Sequence, residues 1–137
     1  MTSRLKCESD TLRRMDITVH EGASLYLDYT LTYSQNWSDS SKRGNPIASA
    51  DTTKVFFYVK RKLTDSTFLL QLTSADSSQI AWTSATAGTL RVKLGANTAG
   101  ITGSAFYELR IKMSDGRYIT TDSGKITFNE SLVDQAS

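Results

Sequence analysis

The sequence predicts an all-β protein built as an antiparallel sandwich of about seven to eight strands. Apolar and polar residues alternate with a period of two in a series of short segments, which is typical of strands that bury one face. Turns rich in glycine, serine and aspartate separate these segments at the spacing found in sandwiches. The chain of 137 residues is long enough to bury a core as one domain, and its single Cys7 excludes an intramolecular disulfide.

Residues 1–15 show no clean strand period, and we interpret them as an N-terminal arm. The sandwich is expected at 16–128 and a fraying polar tail at 129–137. A weak helix is conceivable at 9–15. Two interpretations of the arm stay open: it is a loose terminus, or it orders on a partner whose carboxylates its arginines bind in bidentate fashion. The cations of the arm are Arg4, Lys6, Arg13 and Arg14.

The first two strands of the sandwich are predicted at 16–21 and 24–33. In the first, Ile17 and Val19 are expected to point inward. The second has the clearest alternation in the chain, and its inward residues are Leu25, Leu27, Tyr29 and Leu31. Both strands are expected in an antiparallel sheet with one buried face.

A long polar connection follows at 34–53, and connections of this length in a compact domain are often functional. Tyr33, Trp37 and Arg43 lie among asparagine and serine residues, where they could form a contact surface for a sugar or a protein. The alternative is that Trp37 packs over the open end of the sandwich.

The middle of the chain predicts four strands, at 54–62, 67–73, 79–82 and 89–94. The first carries aromatic residues on both faces, with Phe57 inward. It is therefore expected to be a central strand or one whose second face meets a partner. The basic run 60–62 is more typical of a solvated strand edge. Other expected core residues are Phe68, Leu70, Leu72, Leu90, Val92 and Leu94.

A strand at 105–113 and its hairpin partner, which reaches residue 128, are predicted to frame the domain. Tyr107, Leu109 and Ile111 are the expected core residues of this strand. Residues 97–101 before it could make one helical turn. A short crossover followed by Tyr107 resembles the tyrosine corner of immunoglobulin-like sandwiches, so we expect that type of fold.

Packing selects the register of this hairpin. A two-residue turn would place Leu109 opposite Asp122 and force a carboxylate onto the buried face, which is costly. A three-residue turn at 114–116, with Gly116 at positive φ, would pair Ile111 with Ile119 and Leu109 with Thr121. Because Ile119 and Ile126 then differ in parity, an irregularity is expected near 123–124.

The sequence shows no pattern that indicates catalysis. It contains no nucleophile elbow, phosphate-binding loop, dinucleotide fingerprint or metal-ligand spacing, and we expect neither an enzyme nor a cofactor. His20, the only histidine, has no evident catalytic partner. A net charge of +2 does not indicate nucleic-acid binding, and no apolar run suits a signal peptide or a membrane span.

The order of segments between residues 16 and 128 resembles small immunoglobulin-like structural proteins of tailed bacteriophages. The similarity is carried by Val55-Phe56-Phe57-Tyr58-Val59-Lys60-Arg61-Lys62, the Thr98–Ile101 crossover, Phe106-Tyr107-Glu108-Leu109-Arg110 and the Asp115-Gly116 hairpin. That family includes domains like the N-terminal part of upper baseplate proteins. The chain departs from antibody domains because it lacks both cysteines of their core disulfide.

The resemblance implies a virion component that is assembled in the host cytoplasm. The leading hypothesis is a capsid-surface decoration or cement protein, a homo-oligomer or present in many copies on the particle, whose basic arm binds the major capsid protein or a neighbouring virion protein. The alternatives are a baseplate, tail or head-fibre module that binds a receptor or glycan through Tyr33, Trp37 and Arg43, and a subunit of the head-tail connector.

Overall fold

A computed structural model describes residues 2–8, 13–14, 16–20, 26–94 and 101–129, and for 2–8, 13–14 and 20 the description covers the backbone only. The described part contains ten strands and two short 3₁₀ helices, Ser40–Lys42 and Ser49–Asp51. None of its helices is long and apolar enough to span a membrane. The strands are β1 Thr2–Glu8, β2 Arg13–Arg14, β3 Ile17–His20, β4 Tyr26–Thr32, β5 Thr52–Lys60, β6 Leu70–Thr73, β7 Ile80–Ser84, β8 Thr89–Lys93, β9 Gly103–Met113 and β10 Tyr118–Asn129.

The strands form two sheets that pack face to face. The four-stranded sheet has the order β1-β4-β8-β7, and the six-stranded sheet has the order β2-β10-β9-β5-β6, with β3 also paired to β10. We read β1 as strand A and β4 to β10 as strands B, C, C′, D, E, F and G. Without β2, the two orders are then ABED and GFCC′, which are those of immunoglobulin-like sandwiches. The predicted fold class is therefore confirmed.

The eight strands expected from the sequence correspond to β3 through β10, and the two additional strands lie in the region interpreted as an arm. β1 pairs in parallel with β4 over its whole length, from Thr2 opposite Tyr26 to Glu8 opposite Thr32. β2 pairs in parallel with β10. The expectation of no strand at 1–15 was wrong because the pairing uses backbone hydrogen bonds, whereas β1 offers only Leu5 and Cys7 as alternating apolar residues.

Several expectations fall outside the described residues. These are the helix at 9–15, except for Arg13 and Arg14, which are in a strand, and the helical turn at 97–101, except for Ile101. Ile101 is half-buried and packs against the core. The tail was expected at 129–137, of which only Asn129 is described, as the last residue of β10.

The core lies between the sheets and is built from alternate residues of each strand. Of the residues expected inside, Leu27, Phe57, Tyr107, Leu109 and Ile111 are all buried. β6 differs from the prediction because it begins at Leu70 rather than at residue 67. Phe68 precedes the strand and is 36% exposed, so it lies outside the core.

The β9–β10 hairpin has the predicted three-residue turn but a different register beyond it. Gly116 has φ 92°, and Ile111 pairs with Ile119. Leu109 pairs with Asp122, not with Thr121, because the register shifts between Thr120 and Asp122. The expected irregularity therefore exists, but it lies at Thr121 rather than near 123–124.

This bulge places a carboxylate in the core, which the packing argument had rejected. Asp122 is fully buried. The hydroxyl of Tyr29 on β4 donates a hydrogen bond of 2.7 Å to Asp122 Oδ2, and the hydroxyl of Tyr107 lies 3.2 Å from each carboxylate oxygen. The prediction considered only the cost of burying an isolated carboxylate, whereas the hydrogen bonds from the two tyrosine hydroxyls offset the desolvation of Asp122.

Replacing Asp122 by alanine should destabilise the domain by about 2–5 kcal/mol, because it removes the acceptor of two buried hydroxyls. Urea unfolding measures the loss. Tyr29→Phe in the Asp122→Ala background should cost less than it does in the wild type, since its partner is already absent. The exposed hydroxyl of Tyr118 is the control, and Tyr118→Phe should leave stability nearly unchanged. Additive costs at Asp122 and Tyr29 would contradict the assignment.

Two glycines with positive φ should respond differently to alanine. Gly88 has φ 72°, and a Cβ there would lie 2.7 Å from the carbonyl oxygen of Leu31 and 2.9 Å from that of Ile47. Gly116 has φ 92° and open space around it. Thermal or urea unfolding should show a cost of about 1–2 kcal/mol for Gly116→Ala, from the left-handed backbone alone, and a distinctly larger cost for Gly88→Ala. Equal costs would show that the backbone at Gly88 yields freely.

Candidate functional site

The aromatic residues of the long connection are buried rather than presented to solvent. Trp37 is 5% exposed and Tyr33 2% exposed, with their ring centroids 5.1 Å apart. The guanidinium carbon of Arg117 lies 4.5 Å from the centroid of the Trp37 ring, and Arg43 Nε donates to the Trp37 carbonyl oxygen at 2.7 Å. This burial agrees with the interpretation that Trp37 packs over the end of the sandwich, and it leaves little ring surface for a sugar.

Tyr33 is also fixed through its hydroxyl, which donates to Asp51 Oδ2 at 3.0 Å. Burial raises the pKa of Tyr33 well above its usual value, and the hydrogen bond and charge of Asp51 raise it further. The phenol therefore stays protonated at neutral pH and serves as a donor that holds the connection against the start of β5.

The structure places the four cations expected at a binding site on two different sheets. The backbones of Arg4 and Lys6 lie in β1, at the edge of the four-stranded sheet, whereas those of Arg13 and Arg14 lie in β2, on the six-stranded sheet. These residues are thus distributed between both layers of the sandwich, and a partner that contacts all of them must reach both sheets.

The outer face of the six-stranded sheet gathers a second group of functional candidates, which we call the basic aromatic face. Strand alternation positions those on β5, β9 and β10, because their neighbours in sequence fill the core, whereas Leu63 and Phe68 come from the β5–β6 connection. Phe56 and Tyr58 on β5 were the signal in the sequence, as aromatic residues on the second face of a strand. The face comprises Phe56, Tyr58, Lys60, Leu63, Phe68, Phe106, Glu108, Arg110, Lys112, Tyr118 and Lys125.

The rings of this face contact one another and the cations beside them. Phe56 and Tyr58 are stacked with centroids 5.4 Å apart, and Tyr58 and Phe68 are stacked at 4.6 Å. Lys60 Nζ lies 4.8 Å from the Phe68 centroid. The guanidinium carbon of Arg110 lies 5.0 Å from the Tyr118 centroid, and Lys112 Nζ 5.7 Å from it. Cation–π attraction of this kind orders the long cationic side chains at a modest energy.

A cleft of about 750 Å³ opens on this face between the β5–β6 connection and strands β9 and β10. One part of its lining is apolar and exposed: Leu63 is 72% exposed, Phe106 38% and Phe68 36%. The charged part contains Lys60, Arg110 and Lys125, together with the carboxylates Asp16 and Glu108. Exposed apolar side chains gathered at one place and rimmed by charge are typical of a protein-binding surface.

Glu108 is held within the face rather than offered to a ligand. The hydroxyl of Thr120 donates to Glu108 Oε1 at 2.6 Å, and Arg110 Nε lies 3.8 Å from the same oxygen. Burial raises the pKa of Tyr58, with Arg110 acting in the opposite direction, so the phenol remains neutral. Among the side chains that the structure describes, no three His, Cys, Asp or Glu residues are grouped to hold a metal. The arrangement can bind a partner by apolar contact and charge.

Comparison with known proteins finds similarity only at the level of solved structures. No protein-family model and no curated protein sequence matches this chain. Its fold is similar to the N-terminal domain of phage TP901-1 ORF48, with 14% identity and a TM-score of 0.49 over 94% of this chain and 99% of that domain. It is also similar to fibronectin(III)-like modules of Clostridium thermocellum CbhA, with 15% identity and a TM-score of 0.38 over 92% and 96% of the two chains. Likeness at this level does not extend to function.

Two phenylalanines on opposite faces of the same sheet should differ in how much they contribute to the stability of the fold. Phe57→Ala removes a fully buried ring and should cost about 3–5 kcal/mol in urea unfolding. Phe106→Ala removes a ring that is 38% exposed and should cost less than about 1 kcal/mol. A large loss for Phe106→Ala would mean that the basic aromatic face supports the fold.

Proposed function

We propose that this chain is a non-enzymatic structural component of a tailed-phage virion, and more specifically a capsid-surface decoration protein that binds the major capsid protein. The observation that carries the proposal is the basic aromatic face: Leu63, Phe68 and Phe106 lie outside the core cluster of the described residues and are exposed beside cations. The core does not need these side chains, so their exposure is best explained by contact with another protein.

The virion context comes from the resemblance of the segment order between 16 and 128 to small immunoglobulin-like proteins of tailed phages. A decoration protein repeats the same contact at many lattice positions, and its partner presents that contact in many copies. Avidity then allows each contact to remain modest when one chain bridges neighbouring capsid subunits. A face of exposed aliphatic, aromatic and cationic residues suits such a contact.

The basic residues of β1 and β2 offer a second contact. Because residues 2–8 pair with β4 along seven positions, removing 1–15 would strip an edge strand from the four-stranded sheet and confound binding with folding. Substitution of Arg4, Lys6, Arg13 and Arg14 by glutamine tests their charges and keeps the backbone in place.

The copy number of the chain in purified particles of its phage tests the proposal directly. Quantitative mass spectrometry against the major capsid protein should find hundreds of copies per particle, and recombinant chain should sediment with shells of that capsid protein. The four-fold glutamine variant should bind shells more weakly at low salt, while retaining the thermal stability of the wild type. About a dozen copies, or no binding to shells, would overturn the decoration assignment and favour the baseplate or connector.

A further inference from the structure

The apolar part of the cleft is open and unfilled by the chain's own core. Leu63 lies in the β5–β6 connection, Phe68 follows it before β6, and Phe106 lies early on β9, so three separate positions in the sequence converge on one place. Phe68 stacks on Tyr58, which fixes one wall. Such a slot accepts an aliphatic or aromatic side chain of a partner, and its volume is within the range of ligand-binding clefts.

The charge around this slot selects the sign of the partner. Lys60, Arg110 and Lys125 line the cleft, and within the described residues neither lysine has a carboxylate in ion-pair contact. Arg110 has only a 3.8 Å approach to Glu108, with both side chains about half exposed. Further cations follow at Arg61, Lys62 and Lys112. A carboxylate brought to this rim would gain charge-assisted hydrogen bonds at little desolvation cost.

The same geometry argues against a nucleic-acid strand. Bases bind such sheets by stacking on free ring faces, but Phe56, Tyr58 and Phe68 are stacked on one another and Tyr118 is approached by two cations. Asp16 and Glu108 also line the cleft, and a nucleic-acid strand carries a phosphate at every nucleotide, so it would bring negative charge close to both of them. A peptide needs only a slot for one apolar side chain, and its carboxylates can be spaced to meet Lys60, Arg110 and Lys125 while neutral residues lie beside Asp16 and Glu108.

We propose that the cleft binds an extended acidic segment of a partner protein, with an apolar residue seated against Leu63, Phe68 and Phe106 and flanking carboxylates on Lys60, Arg110 and Lys125. This inference rests on the proposed function, in which the basic aromatic face contacts a virion protein. It adds the chemistry of the recognised segment: acidic, extended, and carrying at least one large apolar side chain.

Three fluorescein-labelled probes test the inference on the full chain. The first is the acidic-apolar peptide Glu-Asp-Leu-Phe-Asp-Glu, the second replaces its acids by lysine, and the third replaces Leu-Phe by Ser-Ser. Fluorescence anisotropy should show saturable binding of the first probe only, weakened as salt is raised. The double variant Lys60→Glu/Arg110→Glu should weaken this binding at least about tenfold, and Phe106→Ser should weaken it with only a small loss of thermal stability.

Lys42→Glu is the control, because it reverses an exposed lysine in the 3₁₀ helix Ser40–Lys42, outside the cleft. It should bind the acidic probe as the wild type does. Equal binding of all three probes, no binding of the first, or preferential binding of an oligo-dT probe would overturn the inference. So would concentration-dependent dimerisation that Phe106→Ser abolishes in sedimentation, since a second copy would then occupy the cleft.

The outcomes of the two proposals can be told apart. If the chain sediments with capsid shells but neither binds the acidic probe nor loses shell binding in Lys60→Glu/Arg110→Glu, this inference fails and the decoration role stands. If the probe binds through the cleft but particles contain few copies, the recognition chemistry stands and the position in the virion is elsewhere.

Discussion

The hydrogen bonds between the buried Asp122 and two tyrosines tie the two sheets of the sandwich together. Tyr29 belongs to β4 of the four-stranded sheet, whereas Tyr107 and Asp122 belong to neighbouring strands of the other sheet. An apolar core permits some sliding of one sheet over the other, but the buried carboxylate of Asp122 would lose its hydrogen-bond donor Tyr29 if the layers shifted. The bulge at Thr121 makes these hydrogen bonds possible, because it turns Asp122 inward while keeping both Ile119 and Ile126 on the core side.

The two faces of the six-stranded sheet are separated by strand alternation. Inward residues such as Val55, Phe57 and Leu109 are fully buried, and so is Asp122 with its hydrogen bonds to the two tyrosines. The outward residues, such as Phe106 and Tyr118, are exposed instead. The long connection belongs to the scaffold instead, since Trp37 and Tyr33 are buried and joined to the hairpin through Arg117.

Much of this architecture could be predicted from the alternation of residues, because strands with one buried face leave a direct periodic signal. β4, β5, β8 and β9 are such strands. β1 could not be found in this way, since its pairing with β4 depends on backbone groups and its few apolar residues give no period. The burial of Asp122 could not be predicted from the sequence, because its hydrogen-bond donor Tyr29 is 93 residues away in the chain. Of the basic aromatic face, only Phe56 and Tyr58 stood out; Phe106 and Tyr118 occupy ordinary outward positions, and only the fold brings Leu63 and Phe68 beside Phe106.

The pairing of β2 and β3 along β10 has a consequence for crowding. A sheet edge with free backbone groups can recruit a strand from a neighbouring molecule, and repeated recruitment of that kind produces fibres. Here the short strands β2 and β3 pair in parallel with much of the edge of β10 that faces away from β9. The strand at the opposite edge of the sheet, β6, is only four residues long. Both ends of the six-stranded sheet are therefore poor templates for strand addition. Copies held side by side at high local concentration would meet through side chains, whose complementarity evolution can adjust one residue at a time.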